Sequence, residues 1–397
     1  MSTHPARSIP ALVEPGPPLS RTEVTRYSRH LLLPDLGEDG QRRLRAARVC
    51  VIGAGGLGSP VLLYLAAAGV GTLGVVDVDD VELSNLQRQI VHGESDVGRP
   101  KVDSAADAVA RLDPAVRVVT HHLRLDGSNV DEVLAGYDLV IDGTDNFPTR
   151  YLVNDACVRL GLPEVWGSIY RMDAQVAVFW GRPPEGSGVD AVQLRDLFPS
   201  PPAPGTVPSC AEGGVLGAMC GQVGALMATE AIKVIAGVGQ ALLGRVLVLD
   251  ALAARWTEVP LVGGGAVRTD APPGTPAAAH AAAAAAAECG LSQVAALAPR
   301  ELAARWDEVV VVDVREPGER LIASIDGAVS VPLGRILDGT GLAEVPRDRT
   351  VVLHCRSGVR SEQAARALLA AGYDDVAHLA GGILAWAADV DPSMATY

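Results

Sequence analysis

The fold of the chain is decided by residues 48–58, which read RVCVIGAGGLG. The apolar run predicts a buried strand, and the glycines predict a sharp turn into a helix that closes on Gly69. A second strand, 72–76, ends at Asp77. Glycine amides and a helix N-terminus bind phosphate, and a carboxylate at the strand tip binds a ribose, so we predict a nucleotide site that fits NAD, FAD and ATP equally well. Its residues are Gly53, Gly55, Gly56, Gly58 and Asp77.

Helix and strand patterns alternate beyond this stretch and predict a Rossmann-like α/β domain with a mostly parallel sheet. Ligands of such sheets bind at the carboxyl ends of the strands, where Asp77 and Asp145 both lie. Residues 181–214 interrupt the alternation with a Gly- and Pro-rich segment that contains Cys210. A segment of that length is usually a lid or a crossing loop with a function.

The length of 397 residues predicts two or three domains. We expect a disordered tail over 1–20, a nucleotide-binding domain over 21–262, a Gly/Pro/Ala-rich linker over 263–290 and a smaller α/β domain over 291–392. The net charge of −14 argues against nucleic acid or an anionic membrane as a partner. Six irregularly spaced cysteines and no signal peptide or membrane-length apolar tract predict a soluble, cytoplasmic protein.

Cations near the predicted ribose site favour a nucleoside triphosphate over a dinucleotide. Arg88 and Lys101, with Arg29 as a third candidate, can neutralise phosphates and a leaving pyrophosphate. Asp145 can hold magnesium, which prefers carboxylate and phosphate oxygens.

Five features occur in order along the chain: RYSR at 26–29, the glycine loop at 53–58, SNLQRQ at 84–89, Lys101 and TDN at 144–146. In this order and spacing they resemble the ubiquitin-activating superfamily over residues 21–262. More narrowly, they resemble the bacterial adenylyltransferases that activate molybdopterin-synthase and thiamin sulfur carriers. The resemblance implies that ATP adenylates the carrier's C-terminal glycine, and that Arg29 reaches the site of the other subunit of a homodimer. It also implies nucleotide-binding roles for Ser84, Asn85, Leu86, Gln87, Arg88, Lys101, Asp145 and Asn146.

One departure from that family concerns its structural zinc. Many relatives carry two Cys-x-x-Cys pairs, but 194–197 and the stretch after Trp256 contain no cysteine. Because tetrahedral zinc needs about four nitrogen or sulfur ligands, we predict no zinc site.

A second reactive centre is predicted at Cys355. The cysteine begins a tight loop that leads into a helix, so loop amides and the helix N-terminus favour an anionic sulfur. Residues 291–392 resemble a rhodanese-like sulfurtransferase domain, in which Cys355 would carry a persulfide from a donor such as a cysteine desulfurase or thiosulfate. The predicted persulfide loop comprises Cys355, Arg356, Ser357, Gly358, Val359, Arg360 and Ser361.

An acyl-adenylate is an electrophile and a persulfide is a nucleophile, so the two domains predict one pathway. We hypothesise adenylation of Gly-Gly-ending carriers of the MoaD, ThiS or CysO type, attack by the Cys355 persulfide, and resolution by Cys210, for molybdenum cofactor or other sulfur-containing metabolites. Whether Cys210 forms a thioester or a disulfide stays open. The alternatives are an NAD-dependent oxidoreductase fused to a rhodanese, and a non-catalytic scaffold for ubiquitin-like partners.

Overall fold

The computed structural model describes residues 9–201, 214–264 and 294–396, which form two compact units. In the first unit, eight strands form one sheet in the order β3-β2-β1-β4-β5-β6-β7-β8. The pairs from β3 to β5 are parallel and the pairs from β5 to β8 are antiparallel, which confirms the predicted mostly parallel α/β fold. The strands are β1 (Arg48–Ile52), β2 (Thr72–Val76), β3 (Arg117–His121), β4 (Leu139–Asp142), β5 (Glu164–Tyr170), β6 (Asp173–Phe179), β7 (Arg245–Asp250) and β8 (Arg255–Pro260).

Helices cover the sheet of the first unit. They are α1 (Arg21–Arg26), α2 (Ser28–Leu31), α3 (Gly37–Ala46), α4 (Gly58–Ala67), α5 (Lys101–Leu112), α6 (Val130–Leu134), α7 (Phe147–Leu160), α8 (Leu194–Leu197) and α9 (Gly217–Ala236).

The turn between β1 and α4 requires its glycines. Gly53 has φ +90°, a conformation that residues with a Cβ rarely adopt. A Cβ at Gly58 would lie 1.8 Å from the Gly53 carbonyl oxygen, so α4 can begin this close to the strand only with glycine there. Helix α4 ends before Gly69, which has φ +77°.

Helix α9 is long and apolar enough to cross a membrane by length and composition alone. In the structure, however, 56% of its apolar window is buried, and Val223 and Met227 belong to the main core of the first unit. We therefore assign α9 as the central core helix of this unit.

Residues 9–20 differ from the disordered tail that we expected. Ile9 is only 8% exposed and belongs to the main core, while Leu12 and Val13 pack against it. The Leu12 N–H donates to the Val234 carbonyl at 3.3 Å. The Pro- and Ser-rich composition of this segment did not indicate that its few apolar residues are buried. Residues 1–8 lie outside the described part of the chain.

The second unit is a smaller α/β fold. Its five strands pair in parallel in the order β11-β10-β12-β13-β9. The elements are β9 (Ala295–Leu297), α10 (Pro299–Ala304), β10 (Val309–Asp313), α11 (Pro317–Ile322), β11 (Val329–Ser330), α12 (Leu333–Leu337), β12 (Thr350–His354), α13 (Val359–Ala370), β13 (Val376–Leu379) and α14 (Gly382–Asp389). Most of the predicted linker, 265–290, lies outside the described residues.

Candidate active sites

A cavity opens in the first unit at the carboxyl ends of β1, β2 and β4. Its wall combines glycine backbone, carboxylates and cations, which is the composition that a nucleoside triphosphate requires. The predicted site residues that the structure brings together there are Gly53, Gly55, Gly56, Asp77, Arg88, Lys101, Asp145 and Asn146.

The glycine loop is held in place by Asp77. One carboxylate oxygen accepts the Ala54 N–H at 2.8 Å, and the other accepts the Asp79 N–H at 2.9 Å. The Gly53 N–H donates to the Val76 carbonyl at 2.8 Å. Asp77 therefore orders the loop beside the cavity as well as facing the cavity itself.

Two cations are positioned at the cavity by their own segments. Lys101 begins α5, is only 6% exposed, and places Nζ 3.0 Å from an Asp79 carboxylate oxygen. Arg88 donates from Nη1 to the Ser84 carbonyl at 2.9 Å. Both residues line the cavity, where a guanidinium and an ammonium group can neutralise phosphate charge.

Among the described residues, several predicted nucleotide ligands do not line the cavity. Asn85 is buried, and its Oδ1 accepts the Glu82 N–H at 3.1 Å, so it closes the short turn that carries Arg88. Gly58 lies behind the loop, where it permits close packing. The predicted ligands outside the cavity wall are Gly58, Ser84, Asn85, Leu86 and Gln87.

Arg29 is exposed on α2 and is not part of the cavity wall formed by the described chain. Its neighbours are anchored: the Tyr27 hydroxyl donates to Asp113 at 2.7 Å, and His30 Nδ1 lies 2.9 Å from Gln41 Oε1. The segment therefore presents Arg29 from a fixed turn, and a role in a second subunit's site stays a prediction.

Sequence reasoning missed Arg150, a buried cation in the cavity wall. Its Nε and Nη2 donate to the Thr144 carbonyl at 3.1 and 2.8 Å, which fixes the segment that carries Asp145. The available signal was Asn146, a typical N-cap residue, because it places Arg150 in the first turns of α7. Behind it, burial raises the pKa of Asp142 and of Glu164, which favours their neutral forms.

The second site lies in the second unit at the end of β12. The Gly358 N–H donates to Cys355 Sγ at 3.1 Å, and Ser361 Oγ lies 3.5 Å from the sulfur. Helix α14 also contacts the loop, because the Ile383 N–H donates to the Cys355 carbonyl at 2.8 Å. The loop thus directs donors toward the sulfur, as an anionic persulfide requires.

Cys355 itself is only 1% exposed, so its sulfur lies at the base of the loop. Arg360 at the far end of the loop makes a two-pronged ion pair with Glu319, at 2.8 and 2.7 Å. This pair joins the loop to α11. Arg356, Ser357 and Val359 complete the predicted loop between Cys355 and Ser361.

Two predictions about the sites concern Cys210 and metals. Cys210 lies outside the described residues. Within the described ranges, no group of three or more His, Cys, Asp or Glu side chains is placed to hold a metal ion. A lone carboxylate such as Asp145 nevertheless suits magnesium, which keeps waters and phosphate oxygens as its other ligands.

Comparison with known proteins places both units in families. Residues 27–264 match the ThiF family, and residues 298–389 match the rhodanese-like domain. A Mycobacterium tuberculosis protein named probable adenylyltransferase/sulfurtransferase MoeZ is 52% identical over 98% of this chain and 99% of its own length. A Zea mays protein named adenylyltransferase and sulfurtransferase MOCS3-2 is 40% identical over 94% of this chain and 81% of its own. These matches confirm the resemblance that the motifs indicated.

Shorter relatives match the first unit. A Thermus thermophilus sulfur carrier protein adenylyltransferase is 52% identical over 60% of this chain and 88% of its own length. Crystal structures of PaaA and of E. coli MccB with MccA-N7isoASN align with TM-scores of 0.52 and 0.53, at 24% and 21% identity. They cover 62% and 63% of this chain and 76% and 75% of their own, and they show the fold alone.

Proposed function

The chain belongs to the ThiF family, joined to a rhodanese-like domain, and is an adenylyltransferase and sulfurtransferase; from this premise we propose that it converts the C-terminal glycine of ubiquitin-like sulfur carriers to a thiocarboxylate. The observation that carries the proposal is the presence, in one chain, of a cavity lined by glycine backbone, carboxylates and cations and of a loop that directs an N–H donor toward Cys355 Sγ. The names of the relatives, which include a sulfur carrier protein adenylyltransferase, support the choice of substrate.

In the first half-reaction, a carrier carboxylate oxygen attacks the α-phosphorus of ATP. The new P–O bond forms as the bond to the leaving pyrophosphate breaks. We assign the ribose to Asp77, the phosphates to the glycine loop, and the developing charge to Arg88 and Lys101. Asp145 would hold magnesium, which supplies further neutralisation of phosphate charge.

In the second half-reaction, the terminal sulfur of a Cys355 persulfide attacks the acyl carbon, and AMP leaves. The product is an acyl disulfide on Cys355. A Cys210 thiolate then attacks Cys355 Sγ, which releases the carrier thiocarboxylate and leaves a Cys355–Cys210 disulfide. An external thiol reductant restores both thiols. The donor that reloads Cys355, the homodimer and the cytoplasmic location belong to the same proposal.

Carrier-dependent ATP–pyrophosphate exchange tests the first half-reaction. We expect exchange with a small protein that ends in Gly-Gly, and none with the same protein truncated by those two residues. Asp145→Ala should strongly reduce exchange if Asp145 serves the phosphates through magnesium. Undiminished exchange by that variant would remove Asp145 from the phosphate site. Binding of the carrier by the wild type without exchange or thiocarboxylation would favour the non-catalytic scaffold, and binding of NAD in place of ATP would favour the oxidoreductase.

A further inference from the structure

A buried histidine connects the three segments that face the phosphates. His92 is 6% exposed; its Nε2 lies 2.9 Å from the Ala54 carbonyl oxygen in the glycine loop, and its Nδ1 lies 2.8 Å from Ser104 Oγ in α5. The main-chain N–H of His92 donates to the carbonyl of Gln89, the residue that follows Arg88. The His92 side chain thus joins the glycine loop to the helix that begins with Lys101, and the main chain of His92 is bonded to the turn that carries Arg88.

The contacts define the tautomer of the ring. A carbonyl oxygen can only accept, so Nε2 carries the hydrogen toward Ala54. Burial lowers the pKa of His92, and Lys101 lowers it further, so the ring is neutral. In the neutral ring Nδ1 is an acceptor, so the Ser104 hydroxyl is the donor in this contact.

Both backbone polar groups of Ala54, its N–H and its carbonyl, are therefore hydrogen-bonded to side chains. Asp77 accepts the N–H of Ala54 at 2.8 Å, and His92 donates to its carbonyl. Because a peptide unit is planar, fixing the Ala54 carbonyl also fixes the direction of the Gly55 N–H. Gly55 and Gly56 line the cavity, so the orientation of their amides decides how well they meet a phosphate.

We propose that His92 is a positioning residue for ATP: it orients the glycine-loop amides relative to Arg88 and Lys101. The proposal rests on the proposed function, since it concerns the same nucleotide site. His92 touches no substrate in this role and acts through the Ala54 peptide.

The test is equilibrium binding of ATP to the full chain, together with the KM for ATP in pyrophosphate exchange. His92→Phe keeps a ring but cannot donate, so the Kd for ATP should rise about tenfold, as expected when a buried carbonyl loses its donor. Since loop orientation serves ground state and transition state alike, KM should rise while kcat at saturating ATP changes little. His92→Gln can still donate to Ala54 and should recover most of the affinity.

Ser59→Ala is the matched control, because Ser59 is also buried beside the glycine loop and its hydroxyl has no hydrogen-bond partner in the part of the chain that the structure describes. This variant should bind ATP like the wild type. A purely structural role for His92 predicts a lower Tm with an unchanged Kd, and that result would overturn the proposal. Failure of the wild type to bind ATP would instead overturn the proposed function on which the proposal rests.

Discussion

Single residues at the nucleotide cavity differ in what they contribute. Lys101 and Arg88 supply positive charge, whereas Asn85 closes the turn that carries Arg88 and Arg150 supports the segment that carries Asp145. A net charge of −14 makes these local cations necessary, because the protein as a whole repels a triphosphate.

Removing the ammonium group of Lys101 tests this assignment. We expect Lys101→Met to lower carrier-dependent pyrophosphate exchange about a hundredfold, comparable to the loss of one charge-stabilising donor in other active sites. Arg111→Gln is the matched control, since Arg111 is an exposed cation on the same helix. Sulfur transfer from thiosulfate to cyanide should be unchanged in both variants. Equal exchange rates for the two variants would remove Lys101 from the phosphate site.

The placement of residues at the cavity was predictable where side-chain chemistry and position in the fold agreed, while their roles in the reaction stay predictions. Asp77 and Asp145 follow strands, Lys101 begins a helix, and all three line the cavity together with Arg88. The contiguous motif 84–87 was less informative, because a sequence motif does not distinguish a ligand from a residue that holds a turn. His92 and Arg150 were missed because each contacts a backbone carbonyl, His92 that of Ala54 and Arg150 that of Thr144. A sequence pattern does not show contacts of this kind.

At the scale of elements, the β1–α4 turn is tightly constrained by sterics. Gly58→Ala would place a Cβ 1.8 Å from the Gly53 carbonyl oxygen, so either β1 or α4 must shift. We expect a loss of unfolding free energy of about 1–3 kcal/mol, typical of overpacking, together with weakened ATP binding. The measurement is urea unfolding of the first unit followed by hydrogen exchange.

Gly127→Ala is the control for that prediction. A Cβ at Gly127 would meet no atom within 4 Å, so this variant should keep the stability of the wild type and its ATP affinity. If Gly58→Ala were as stable and as active as Gly127→Ala, the steric account of the turn would be wrong.

Elements with strong periodicity were predicted well, and short ones were missed. The apolar runs 309–313 and 350–354 each form a strand, Val309–Asp313 and Thr350–His354. Strands β9 and β13 were not predicted, because three or four residues are too few to show a period and their pairing depends on the sheet. Helix α13 begins at Val359, inside the predicted persulfide loop, since the end of the loop forms the first turn of the helix.

At the scale of the whole molecule, the second unit contains a buried charge network that makes its stability depend on pH. Arg315 donates from Nη2 to Asp313 at 2.7 Å, and His354 Nε2 lies 3.6 Å from the same carboxylate. Burial lowers the pKa of His354 to about 4, against the opposing effect of Asp313. Burial alone would raise the pKa of Asp313, but the hydrogen bond and charge of Arg315 hold it below its usual value.

The sign of the pH dependence follows from proton uptake. Between about pH 6.5 and pH 4 the unfolded chain protonates His354 while the folded unit does not, so stability falls as the pH falls, by up to roughly 3 kcal/mol. Hydrogen exchange of peptides from 294–396 in urea measures this loss. His354→Phe should give a flatter profile over the same range. A wild-type profile as flat as that of the variant would contradict the buried-neutral assignment.

The presence of two folds was predictable from the sequence because each has its own periodic pattern and its own loop chemistry. The prediction of a disordered tail was wrong over residues 9–20. Ile9, Leu12 and Val13 bury apolar surface there, which composition alone does not show.

Thiocarboxylation of a carrier is the most direct test of the central claim that one chain adenylates a carboxylate and then thiolates it. The full chain receives ATP, magnesium, thiosulfate, a thiol reductant and a small protein ending in Gly-Gly, and the intact mass of that protein is recorded. We predict replacement of one oxygen by one sulfur with the wild type. With Cys355→Ala we predict no replacement, while pyrophosphate exchange continues at the wild-type rate. An unchanged carrier mass with the wild type, despite active exchange, would contradict the account.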